Sequence, residues 1–202
     1  MATPMTAAMV SAAMEATATK IKPNDPNPFR KGDAVVYPTH GVGRVERVGF
    51  EDIAGYRLNL IHISFEGNQM TLRVPVAQAR TAGLRKLASP QALAAALATL
   101  TGRPRASRLI WAKRSQEYLA KINTGNPEAL AEVIRDLRSS GDGSGSSFSQ
   151  RNLFELALER LAGEFAAVHR TGKPDAMEML NQTLVKARAN SAVSCQQVTA
   201  GA

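Results

Sequence analysis

The apolar residues of this chain recur at nearly every second position up to about Arg85 and at every third or fourth position beyond it. Alternation suits a half-buried strand, whereas a repeat of about 3.6 suits a helix with one apolar face. The single change of period makes the fold class α+β, a small β domain followed by an all-α helical domain. In the first part AVVYP, GRVERVGF, YRLNLIHISF and MTLRVP read as strands, separated by HGVG, EDIAG and EGNQ. Four or five short strands joined by hairpin-length connections predict an antiparallel sheet closing towards an SH3- or Tudor-like β-barrel. Gly41 and Gly43 supply the permissive backbone of its first turn.

Helix signals dominate the second part. Ser89-Pro90 and Asn126-Pro127 each place an N-cap before a proline at the first helical position. Between them lies a helix over about 106–122 that holds the only tryptophan, Trp111. GDGSGSS at 141–147 reads as a flexible connector, with Ser149 capping a helix that carries Leu153, Leu156, Leu161 and Phe165. The last helix presents Met177, Leu180, Leu184 and Ala187 on one face. KPNDPNP at 22–28 cannot hold a helix. The predicted division is a disordered tail at 1–28, a β domain at 29–85, a helical domain at 86–190 and a C-terminal tail at 191–202.

The N-terminal stretch lacks a basic leader and a long apolar run and contains Glu15, which argues against a secretory signal or membrane span. The lone Cys195 rules out an internal disulfide framework and suits a reducing compartment. The expectation is a cytoplasmic protein with no membrane association. His40, His62 and His169 are scattered without metal-ligand spacing, and no nucleophile elbow or phosphate loop occurs. Glu51-Asp52 and Glu155/Glu159 read as solvated surface pairs. A non-enzymatic binding protein without cofactor or metal is therefore expected.

Charge narrows the partner. The chain carries a formal +8, and the excess is +3 in residues 29–85, +5 in 86–138 and zero elsewhere. Arg103, Arg105, Arg108, Lys113 and Arg114 fall within 101–114 with no acid among them. That field favours a polyanion. On a helical wheel Trp111 shares a face with Ser115, Tyr118 and Ile122, which favours the core. Its place in the opening turns beside TGRPRAS also suits presentation to a partner.

FRKGDAVVYPTHGVGRV, LRVPVAQARTAGLRKL and WAKRSQEYLAKINTGNPEALAEVIRDL together resemble the CarD family of bacterial transcription regulators, over most of 29–188. The resemblance implies a Tudor-like domain, similar also to that of transcription-repair coupling factors, which docks on the β subunit of RNA polymerase. It implies a helical domain that touches the backbone and minor groove of promoter DNA without reading sequence. Trp111 matches the family's wedge at the upstream edge of the melted bubble, Lys113, Arg114 and Arg108 the neighbouring phosphate contacts, and Arg73 a polymerase contact. Glu51 departs from relatives that carry a base in that turn. The implied protein is a monomer that stabilises the open promoter complex. The alternative is a nucleic-acid-binding protein that uses its barrel and basic helix without polymerase.

Phosphate-directed bases make one expectation quantitative. With about three to five phosphate contacts, log K for DNA should fall with log salt at a slope of about −3 to −4. A tight sequence-selective site for the isolated protein, found by titration across salt, would contradict it.

Overall fold

Strand β1 (Ala34–Tyr37) opens the first domain, followed by β2 (Gly41–Ile53), β3 (Tyr56–Phe65) and β4 (Met70–Pro75). A single helical turn, α1 (Val76–Ala79), then leads to β5 (Arg85–Lys86). The computed structural model describes residues 28–199 except 66, 68, 106–108 and 139–146, with side chains through Ala187. Residues 1–27 of the tail expected at 1–28 and connector residues 141–146 therefore lie outside the described residues.

The five strands form one antiparallel sheet in the order β4-β3-β2-β1-β5. It is open rather than a closed barrel, since β4 and β5 are its two edges. EDIAG is not a loop: β2 continues through Ile53, and only Ala54 and Gly55 turn the chain. Both have positive φ, 52° and 82°, the backbone of a tight hairpin turn whose twist matches its strands. At Gly43 a Cβ would stand 2.7 Å from Ile63 Cγ2 and 2.8 Å from the Ser64 carbonyl oxygen. Close approach of β3, rather than turn geometry, is what requires glycine there. Val35, Val45, Ile61, Ile63, Phe65 and Val74 form the core of this domain.

The second domain contains α2 (Pro90–Thr101), α3 (Trp111–Thr124), α4 (Pro127–Leu137), α5 (Phe148–His169) and α6 (Lys173–Thr199). Ser89 and Asn126 cap α2 and α4 as their sequences indicate, accepting from Ala92 N and Glu128 N. Helix α3 starts at Trp111 rather than near 106, and Ile110 at its N-cap offers no side-chain acceptor. Helix α5 is capped by Ser147, with Gln150 completing the box, and not by Ser149. Helix α6 runs to Thr199, past residue 191 where a tail was expected to begin. Leu93, Leu100, Ile122, Leu130, Ile134, Leu161 and Leu180 lie at the centre of the helical core, with Met177 only packed against it.

The two domains meet at close range. Gly125, at φ 65°, lets the chain approach Pro38 and Val36, which a Cβ would meet at 3.5 and 3.8 Å. Gly163 lies over Val42, and Arg160 donates to the Thr39 carbonyl at 2.6 Å. At the centre is Glu164, 1 % exposed. Arg85 grips it bidentately at 2.6 and 2.7 Å, the Ala88 amide donates to it at 2.9 Å, and Arg85 also donates to the Gly125 carbonyl.

A buried carboxylate loses its hydration, so it is tolerated only when charge and donors replace the water. Arg85→Ala would leave Glu164 with the Ala88 amide alone. That variant should lose about 3–5 kcal/mol in urea denaturation, the usual cost of orphaning a buried charge. A loss below about 1 kcal/mol would show that the joint does not depend on this pair.

Candidate nucleic-acid interface

Trp111 is the first residue of α3 and is neither a free side chain nor a core one. Its ring is half-buried, packed at the edge of the helical core. Three contacts fix it. The indole Nε1 donates to Ser149 Oγ at 3.1 Å, the Tyr118 ring lies tilted with centroids 6.5 Å apart, and the Arg114 guanidinium sits 5.5 Å above the indole. Because Ser147 caps α5, the Ser149 hydroxyl is available to the indole. The spacing of Ser147 and Gln150 carried that signal in the sequence.

Around the indole the surface is apolar at its centre and basic at its rim. Leu109, Ile110 and Phe148 are exposed, Phe148 by 71 %. Lys113 is exposed and Arg114 half-buried; among the described residues neither makes an ion pair. Arg114 Nε is buried and has no hydrogen-bond partner among them. Arg151, outside the basic cluster visible in the sequence, stands exposed in the first turn of α5, two residues beyond Ser149. The N-termini of α3 and α5 converge here without an acid in either first turn, so both helix dipoles add to the positive field. Arg108 lies outside the described residues.

The other bases nearby are spoken for. Lys121 donates to Glu132 at 2.6 Å, and this hydrogen bond, above all, holds the Glu132 carboxyl below the ordinary carboxylate range. Asp136 accepts from the Arg105 amide at 3.0 Å and from Arg135 Nε at 2.8 Å. The loop before α3 is thereby tied to α4, although the Arg105 side chain remains largely exposed.

Arg73 sits far away in sequence on edge strand β4, opposite His62. Glu51 is not the solvated acid expected of it. It pairs with Arg47, lies 3.8 Å from Arg73 and lies 3.1 Å from the Nε2 of buried His62. Glu51, His62 and Arg73 share one face of the sheet through cross-strand register, so the acid tempers the charge Arg73 presents. Glu159 is likewise paired, with Lys173 at 2.6 Å. His40 packs against Tyr37 and Phe65, and His169 stacks on Phe165. No group of three or more potential ligands that could hold a metal occurs among the described residues, and no helix among them is long and apolar enough to cross a membrane.

Two family models match the chain: the CarD-like/TRCF RID domain over residues 29–88 and the CarD C-terminal domain over 95–181. A protein of Bacillus subtilis (strain 168), YdeB, whose name assigns it a candidate role as a transcription factor, is 25 % identical over 140 residues. That alignment spans 69 % of this chain and 92 % of YdeB. The solution NMR structure of the 72-residue N-terminal domain of Myxococcus xanthus CarD is 34 % identical, covering 30 % of this chain and 81 % of that one, with a TM-score of 0.26.

The half-buried setting of Trp111 has a measurable consequence. Trp111→Ala should cost about 2 kcal/mol in equilibrium denaturation, below the 3–5 kcal/mol typical of a fully buried large side chain. Trp111→Phe keeps most of the packing but loses the indole hydrogen bond to Ser149, whose hydroxyl keeps only Ser147 at 3.1 Å, and should cost about 1 kcal/mol. A loss of about 4 kcal/mol or more for the alanine variant would make Trp111 a core residue.

Proposed function

Because the chain belongs to the CarD-like family of transcription factors, we propose that it binds the RNA polymerase β subunit through its sheet domain and stabilises the open promoter complex through its helical domain. The observation that carries this reading is the indole of Trp111, anchored at its N–H by Ser149 and flanked by Lys113 and Arg114, which make no ion pair among the described residues, and by two helix N-termini. An indole so held can act as a wedge. Inserted from the minor groove at an unstacked base step, it fills a gap whose opening costs a few kcal/mol. Lys113, Arg114, Arg151 and Arg108 would hold phosphates, which fixes orientation without reading sequence. No step in this action needs a catalytic residue.

Arg73 supplies the proposed polymerase contact. It lies on an edge strand, whose free backbone could extend a sheet of the partner. Glu51 competes for it, so docking would exchange an internal ion pair for an external one. The DNA-facing residues lie on α3 and α5 and are not coupled to that exchange.

Arg73→Glu should weaken association with purified polymerase by at least about 1–2 kcal/mol, roughly five- to thirtyfold, while the salt-dependent binding to DNA persists. Glu51→Gln, which releases Arg47 and Arg73, should tighten the same association. Promoter footprinting with polymerase should show a longer-lived bubble in the presence of the protein. An unchanged association constant for Arg73→Glu would remove that residue from the interface, and a bubble indifferent to the protein would refute the proposed function.

A further inference from the structure

A large exposed aromatic residue precedes, in sequence, the serine that holds the indole. Phe148 opens α5 and is 71 % exposed, yet its neighbour Ser149 is the residue that holds Trp111. Helical spacing puts Phe148 on the same face as Arg151 and Asn152, at i+3 and i+4, and all three are exposed. An aromatic ring next to a cation, at the positive end of a 22-residue helix with no acid in its first turn, has the composition of a single-strand nucleic-acid platform. Such platforms stack an unpaired base on the ring while bases nearby track the backbone.

We propose that Phe148 stacks against the first unpaired base beyond the Trp111 wedge, with Arg151 on the adjoining phosphate. This inference rests on the reading of Trp111 as a bubble-edge wedge and deepens it: the ligand is single-stranded DNA at a junction, not duplex alone. Charge selects that occupant over an apolar protein surface. Lys113 and Arg114, which make no ion pair among the described residues, and exposed Arg151 form a rim that repels basic partners and attracts phosphate. The platform is anchored as well as exposed. Ser147 caps the helix with Gln150, and Leu153 and Phe154, one turn further on, are buried in the core, so the ring sits on a rigid support. A stacked base would cover apolar surface that water otherwise meets.

The test uses the full chain and a forked DNA carrying 2-aminopurine at its first unpaired position, compared with the matching duplex at low salt. Wild type should prefer the fork and quench the probe. Phe148→Ala should reduce the ratio of fork to duplex affinity about tenfold, the effect of losing one stacked base, and abolish the quench. Phe148→Trp should restore both. Since the side chain is exposed, thermal melting should match wild type. If Phe148→Ala keeps the wild-type preference and quench while Trp111→Ala loses the preference, the stacking role is overturned and the wedge stands. If neither substitution changes the preference, the wedge reading falls and the platform with it.

Discussion

The buried carboxylate of Glu164 governs how the rest of the molecule is arranged. A single charge taken out of water needs replacement partners, and here they come from the other domain and the segment joining the two: Arg85 at the end of the sheet and the Ala88 amide. The guanidinium is fork-shaped and matches both carboxylate oxygens at once, which fixes direction as well as distance. Its remaining donor capacity reaches the Gly125 carbonyl. One side chain thus ties β5, the α3–α4 corner and α5 together. Gly125, at φ 65°, supplies the left-handed turn that brings its carbonyl to Arg85, whereas a Cβ at 125 or 163 would meet its neighbours only at ordinary contact distance.

Helix α5 turns that joint into a ruler. Ser149, under the indole, and Glu164, at the domain interface, lie on the same helix, about 22 Å apart at 1.5 Å per residue. Leu153, Leu161 and Phe165 bury the length between them, so neither end shifts without disturbing the core. Arg73 hangs on the other side of the joint, on β4, through β3 and β2. On the proposed reading the protein must touch polymerase and the edge of the bubble at once. A rigid span then sets where the wedge lands relative to the docking site, because binding energy at one face is lost at the other if the linkage can swing.

Much of the fold was legible in the sequence for physical reasons that are local. The change of hydrophobic period falls where the strands end at Lys86 and the long helices begin at Pro90, and Ser89-Pro90 and Asn126-Pro127 announced two helices through groups that cap their own backbones. What escaped depended on distance. The hairpin of β2 and β3 absorbs Glu51 and Asp52, poor strand formers, because cross-strand register and the Ala54-Gly55 turn outweigh their propensity. Ser149 was misread as a cap because its partner, Trp111, lies 38 residues away. Glu51 looked solvated until the sheet brought Arg47, His62 and Arg73 around it. Closure of the barrel was an extrapolation from strand count, whereas edges are decided by pairing. The basic cluster showed where positive charge concentrates in the sequence; Arg151 and Phe148 come near α3 only through the packing of α5 against it.

On the proposed reading, the anchoring of Trp111 explains how a surface that does not read sequence can still be selective. Phosphate contacts favour any stretch of DNA, so charge alone would spread the protein along duplex. An indole gains from insertion only where stacking has already been broken, since elsewhere it must supply the unstacking free energy itself. Ser149, Tyr118 and Arg114 hold the ring in one orientation before DNA arrives, so less rotamer entropy is lost on insertion. The same contacts keep the ring from collapsing fully into the core. Selectivity would therefore lie in the state of the DNA rather than its sequence: the bases of the rim would draw the surface to the backbone, and the pinned indole would distinguish melted from paired.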